Sequence, residues 1–124
     1  MRVLYIDDDR INTLLFVETC RLAGDVEVET TFSGAEAQEL ARRWTPDLLV
    51  IDLHLPDTTG YALLPALRRL LGAPALPAYL CTADDAAQVA ETAREAGFDG
   101  CWTKPVVLQQ VLQELARRRG GSAR

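Results

Sequence analysis

Five short apolar runs, each followed by a longer stretch with helical spacing, alternate along this chain of 124 residues and leave it few folds to choose from. The runs are Val3 to Ile6, the alternating Val26, Val28 and Thr30, then Leu48 to Ile51, Ala78 to Cys81, and Gly100 to Trp102. Strict β-α alternation demands parallel strands, right-handed crossovers and helices on both faces of the sheet. A strand buried on both faces reads as an unbroken apolar run, whereas an edge strand tolerates polar positions. Runs 3–6, 48–51 and 78–81 are therefore expected at the centre, and 26–30 and 100–102 at the edges. The expectation is a single doubly wound α/β domain.

The intervening stretches carry helix signals. Ile11, Leu15 and Leu22 recur at helical spacing as far as Gly24, a suitable helix stop. Ser33 to Glu36 is a capping box, and Ala37, Leu40, Ala41 and Trp44 continue a second helix, with Trp44 closing it against the core. Leu63, Leu67, Leu70 and Leu71 share one face of a third helix, in which Pro65 predicts an irregular start or a kink. Ala86, Val89, Ala90 and Ala93 make a thin stripe ending at Gly97. Leu108, Val111, Leu112 and Leu115 turn the last helix toward the core. Arg117 to Arg119 suit that helix's C-terminal dipole end, and Gly120 and Gly121 release the chain, which puts the domain at 1–119 and a flexible tail at 120–124.

Composition narrows the function. The leucine-rich stretch 63–71 is interrupted by Arg68 and Arg69, and no run reaches the length of a membrane helix. The start, Met-Arg-Val-Leu-Tyr-Ile-Asp, is too quickly acidic for a signal peptide. Cys20, Cys81 and Cys101 are odd in number and widely spaced, which suits neither a disulfide framework nor a zinc site and makes a reducing, cytoplasmic setting the expectation. A net charge of −5 argues against direct contact with nucleic acid.

In an open parallel sheet, ligands bind beyond the carboxyl ends of the strands. The residues standing there are Asp7, Asp8 and Asp9 after the first run, Asp52 after the third, Thr82 after the fourth, and Lys104 with Pro105 after the fifth. Carboxylates gathered on one rim repel one another unless a cation neutralises them. A hard divalent ion with oxygen ligands, Mg²⁺ or Mn²⁺, suits such a cluster. A carboxylate between that ion and a lysine is suited to receive a phosphoryl group.

Four segments, each at a strand end, carry a resemblance: Val3 to Asp9, Pro46 to Gly60, Leu80 to Asp84, and Ala96 to Pro105. Together they resemble the response-regulator receiver domains of two-component signalling, over nearly the whole chain. The resemblance implies a flavodoxin-like (βα)5 fold with strand order 2-1-3-4-5, in which the same two strands are edges. It also implies that Asp52 is the phosphoacceptor, taking a phosphoryl group from a partner's phosphohistidine on a histidine kinase or a histidine phosphotransfer protein. Asp7 and Asp8 match the acidic pair that holds Mg²⁺, and the His54 position supplies a backbone carbonyl to the metal. Thr82 matches the hydroxyl residue that turns to the phosphoryl oxygen, and Lys104 the lysine that pairs first with the acceptor and then with the phosphate. Ala83 matches a small residue that leaves the phosphoryl path open. By the same resemblance the output partner, whose identity the sequence does not give, meets the fourth helix, fifth strand and fifth helix. The domain is expected to be a monomer or weak homodimer, with no direct nucleic-acid or membrane contact, either standing alone or excised from a larger regulator or hybrid kinase. It is read as a switch that catalyses only its own phosphorylation and slow dephosphorylation.

One position departs from the family. An aromatic residue commonly stands three places before the lysine; here that place holds Cys101, and Trp102 follows it. Strand alternation sends the two to opposite faces, so the signal is expected to run through the loop after Thr82 and the fourth helix. Thr82 is also placed to cap that helix. Other functions on this fold fit less well. An aspartate-nucleophile phosphohydrolase wants a second acid where His54 stands, and a flavin carrier wants a hydroxyl- and glycine-rich phosphate loop where Asp7 to Asp9 stand. A phosphate-independent adaptor has no use for the complete set of acids, hydroxyl and lysine.

Overall fold

A computed structural model of the chain describes residues 1–104 and 108–122. Pro105 lies outside them, as do the side chains of Leu108, Leu115, Arg118 and Arg119. Five strands, β1 (Arg2–Ile6), β2 (Glu27–Thr31), β3 (Leu48–Asp52), β4 (Ala78–Thr82) and β5 (Gly100–Thr103), form one parallel sheet in the order β2-β1-β3-β4-β5. Between and after them run α1 (Arg10–Ala23), α2 (Gly34–Ala41), α3 (Gly60–Leu71), α4 (Ala86–Glu95) and α5 (Leu108–Ser122). β3 and β4 are buried along their whole length, while β2 alternates exposed and half-buried residues up to the buried Thr31, as its edge place requires.

Alternation along the strands splits the core into two layers. Leu4, Ile6, Leu49, Ile51 and Leu80 point toward Ala37 of α2, Leu63, Leu64 and Leu67 of α3, and Ala93 of α4. Val3, Tyr5, Val50, Tyr79, Cys81 and Trp102 point the other way, toward Phe16 and Cys20 of α1 and Val111 of α5. Trp102 is 4% exposed and stacks on Tyr79 with ring centroids 4.9 Å apart, whereas Cys101 packs against the opposite layer.

Four helix details differ from the sequence reading. The face of α1 that meets the sheet is Thr13, Phe16, Thr19 and Cys20, and the stripe of Ile11, Leu15 and Leu22 is 72%, 50% and 71% exposed. Helical periodicity detects two stripes here, and packing chooses between them: Phe16 lies on Tyr5, with ring centroids 4.3 Å apart. The threonine hydroxyls on the buried face are satisfied within the helix neighbourhood, Thr13 by the Asp9 carbonyl and Thr19 by the Leu15 carbonyl. In α3, Leu64 takes an inward place and Leu70 is exposed, and the helix runs from Gly60 to Leu71 with Pro65 inside it. Helix α2 ends at Ala41, so Trp44 follows the helix, though it still packs on the core and carries the Arg2 guanidinium over its ring. Helix α5 continues through Gly120 and Gly121 to Ser122, which places the arginines inside it and moves its end three residues beyond the expected boundary at 119. A glycine costs a helix about 1 kcal/mol relative to alanine, a penalty that α5 absorbs.

Candidate functional site

Register brings the strand ends to one rim. Ile6 lies beside Ile51, Asp52 beside Cys81, and Thr82 beside Thr103, so Asp7, Asp52, Thr82 and Lys104 emerge at nearly the same height. The Lys104 N–H donates to the Thr82 carbonyl at 2.7 Å, which ties the lysine's backbone to the strand ending in the threonine. Its side chain then reaches across the sheet. The ammonium donates to Asp52 Oδ2 at 3.0 Å and to Asp7 Oδ1 at 3.1 Å. Asp8 is exposed at the mouth, and one carboxylate oxygen from each of Asp7, Asp8 and Asp52 lies within 4.8 Å of the others.

The third aspartate has a different job. Asp9 is the N-cap of α1, accepting from the Ile11 and Asn12 N–H groups at 2.9 and 3.1 Å. Its own N–H donates to Asp7 Oδ1 at 3.0 Å. The run of acids is thus divided between a helix cap and the cluster.

Asp7 and Asp52 are buried, 0% and 4% exposed, beside a single ammonium. Burial pushes the Asp52 carboxyl up to about 6; the Lys104 hydrogen bond pulls down and the nearby Asp7 charge pushes up. Burial acts to lower the Lys104 value, but its hydrogen bonds to Asp52 and Asp7 and their charges outweigh it and hold the ammonium above its ordinary range. The three clustered carboxylates set against one lysine carry two negative charges in excess. Oxygen donors of that charge, two buried and one open to water, fit a hard divalent cation such as Mg²⁺ or Mn²⁺.

Thr82 is fully buried, and its hydroxyl accepts from the Asp84 N–H at 3.0 Å. It does not cap α4. That N-cap is Asp85, three residues on, which accepts from the Ala87 N–H, because the chain makes a turn between the end of β4 and the helix. The His54 imidazole is exposed and stands 3.6 Å from Asp84 Oδ2, and it is not part of the carboxylate cluster.

Three contributors escape the sequence reading. Gly60 lets the start of α3 close on the acceptor strand: a Cβ there would sit 2.8 Å from both the Asp52 carbonyl oxygen and Leu80 Cδ1. Asp57, in the loop after Asp52, accepts from the Gly34 and Ala35 N–H groups at 2.8 and 2.9 Å and fastens that loop to the start of α2. Those two N–H groups hold its carboxyl below the ordinary carboxylate range. Tyr5 donates its hydroxyl to Asp7 Oδ2 at 2.9 Å. Tyr5 had a sequence signal, since residues two apart on a strand share a face; Asp57 had none, because its partners lie more than twenty positions away.

The sequence profile described as "Response regulator receiver domain" matches residues 3–116, and the chain belongs to that family. It is 34% identical over 125 residues to the transcriptional regulatory protein PrrA of Mycobacterium leprae, covering 98% of this chain and 52% of that one. It is 30% identical over 116 residues to the sensor histidine kinase RcsC of Salmonella typhi, covering 94% of this chain and 12% of that one. The chain thus spans about half the length of the curated regulators it matches. Among solved structures, the chemotaxis response regulator CheY4 of Vibrio cholerae superposes with a TM-score of 0.80 at 26% identity, covering 94% of this chain and 96% of that one. Among the described residues, no helix is long and apolar enough to cross a membrane.

Proposed function

We propose that this domain is a phosphorylation-dependent signalling switch in which Asp52 accepts a phosphoryl group from a phosphohistidine on a histidine kinase or histidine phosphotransfer protein. The observation that carries this reading is the Lys104 ammonium shared between Asp52 and Asp7, with Asp8 beside them at the open mouth. An Asp52 carboxylate oxygen attacks phosphorus; the new O–P bond forms as the N–P bond of the donor breaks, and the departing imidazole keeps the electron pair and takes up a proton. Mg²⁺ held by Asp7, Asp8, Asp52 and the His54 carbonyl would supply charge neutralisation for the transferring group. Lys104 is already in place to move from carboxylate to phosphoryl oxygen. The Thr82 hydroxyl, once turned to that oxygen, releases the Asp84 N–H and so frees the turn leading into α4.

Apolar exposure beside the site favours a protein donor. Ile11, Leu14 and Leu15 crowd the first turns of α1, immediately after the acid cluster, and each is at least half exposed. Output is assigned to α4, β5 and α5, with no direct nucleic-acid or membrane contact, in a cytoplasmic setting and as a monomer or weak homodimer. Cys101 and the buried Trp102 leave no aromatic at the usual β5 place, which favours the Thr82 turn and α4 as the route of the signal.

The test is incubation with Mg²⁺ and a small acyl phosphate, read by intact mass beside Asp52→Asn. A phosphoryl-sized gain in the wild type alone, abolished by chelating the metal, is the expected result. A gain that persists in Asp52→Asn refutes the acceptor assignment.

A further inference from the structure

The hydrogen bonds of the site converge on Asp7. Its Oδ1 accepts from the Asp9 N–H at 3.0 Å and from Lys104 at 3.1 Å, and its Oδ2 accepts from the Tyr5 hydroxyl at 2.9 Å. Tyr5 and Asp7 are both fully buried. The Tyr5 ring lies in the apolar layer between the sheet and α1, stacked on Phe16 with planes 10° apart. A phenylalanine would serve that layer equally well and would bring no hydroxyl needing a partner. What the hydroxyl adds is its bond to Asp7 and an interaction with the buried Cys81 thiol, which is no part of the acid cluster. Lys104 joins Asp7 Oδ1 to Asp52 Oδ2, while Asp7 Oδ2 is held by the Tyr5 hydroxyl, so the two oxygens of Asp7 are fixed by different partners.

We propose that Tyr5 is a positioning residue for the cation site: by occupying Asp7 Oδ2 it fixes the orientation of the Asp7 carboxylate within the Asp7–Asp8–Asp52 cluster that would hold a divalent ion. The inference rests on the reading of the Asp7–Asp8–Asp52 cluster as a Mg²⁺ site. Tyr5 touches neither donor nor phosphoryl group. It acts as outer partners of metal ligands do, by removing rotational freedom from the ligand before the ion arrives, and loss of such a partner typically weakens metal binding about 10- to 100-fold. Without the hydroxyl, Oδ2 is a buried carboxylate oxygen lacking its donor, and Asp7 has one fewer bond to hold it in plane.

Tyr5→Phe keeps the ring and removes the bond. Calorimetric titration of the unphosphorylated chain with Mg²⁺ is expected to show binding weakened about 10-fold. Phosphorylation by a small acyl phosphate should then need about 10-fold more Mg²⁺ for half-maximal rate, with the rate at saturating Mg²⁺ close to that of the wild type. Phe16→Leu, which disturbs the stack and spares the hydroxyl, is expected to lower stability and leave the Mg²⁺ affinity unchanged. A second measurement needs no variant. With carbon-13 at the tyrosine Cζ, the Tyr5 resonance should shift as Mg²⁺ is added, with the calorimetric midpoint. Unchanged Mg²⁺ affinity in folded Tyr5→Phe, equal weakening in Phe16→Leu, or a Tyr5 resonance that ignores the ion overturns the role of Tyr5 alone. A wild type that binds no Mg²⁺ overturns the reading of the site, and this inference with it.

Discussion

Lys104 Nζ lies 3.0 Å from Asp52 Oδ2, across 52 positions of sequence, in a place where little else offsets the buried charge. The lysine side chain is 11% exposed, so the contact is poorly screened by water or salt. Removing the lysine leaves two buried carboxylates, Asp52 and Asp7, without their ammonium, at a typical cost of about 3 kcal/mol or more, whereas removing the Asp52 charge leaves the lysine its Asp7 partner. Lys104→Met is expected to lower the stability of the metal-free chain by about that amount in urea titration. Mg²⁺ should restore part of the loss, because a cation in the acid cluster replaces the missing one. Phosphorylation at saturating Mg²⁺ should still be slower than in the wild type.

The acceptor carboxyl itself is a source of instability. Asp52 has a folded value near 6 against an ordinary 3.8, raised chiefly by burial. Between those values the folded chain retains a proton that the unfolded chain releases. The stabilisation is therefore complete at acid pH and fades as pH rises through about 6. Asp52→Asn keeps the shape without the charge. It is expected to raise the metal-free stability at about pH 7.5 by something on the order of 1–3 kcal/mol and to change little below about pH 4. Urea titrations at the two pH values check this. Carboxyl NMR should place the metal-free Asp52 midpoint near 6 and move it lower when Mg²⁺ is added, since an adjacent cation favours the ionised form.

The exposed face of α1 separates donor docking from chemistry. Ile11 and Leu15 are 72% and 50% exposed and contribute little to the core. Ile11→Glu and Leu15→Glu should each change stability by no more than about 0.5 kcal/mol. Transfer from a phosphorylated histidine protein is expected to slow at least several-fold, while phosphorylation by a small acyl phosphate stays at the wild-type rate. Equal slowing of both reactions would count against this face as the donor's seat.

Asp57 fastens the acceptor loop at a distance from the chemistry. Asp57→Ala removes two hydrogen bonds at the start of α2 and should cost about 1 kcal/mol, the usual size of a lost helix cap. The Asp57 carboxyl is held below its ordinary range, so its contribution is present at neutral pH and is lost as pH falls through the folded value. The stability difference from the wild type is expected to close in acid. Gly34→Ala tests the same junction from the other side, because a Cβ there would meet Thr58 Cγ2 at 2.6 Å.

Strand order at the edges, the two-faced sheet and the four strand ends were legible in the chain because they depend on local patterns. An apolar run that stops at a polar residue marks both a strand and its rim, as at Ile6–Asp7 and Ile51–Asp52. The pairing that makes a site of them is also largely local in origin, since parallel strands in register bring their ends to the same height. Helix faces were legible only in part: Ala37, Leu63, Leu67, Ala93 and Val111 are buried as their spacing predicts, but α1 turns the other way. On α1, Ile11, Leu15 and Leu22 made the more obvious stripe, yet Phe16 and Cys20 met the sheet, because the space beside Tyr5 accepts a flat ring and the helix must start where Asp9 caps it. The same is true of Asp85 replacing Thr82 as the cap of α4, and of Asp57 reaching α2. Periodicity along a chain determines which residues seek burial and where strands end; which of two competing faces is buried, and which distant N–H or hydroxyl a carboxylate receives, is decided only when close packing brings the elements together.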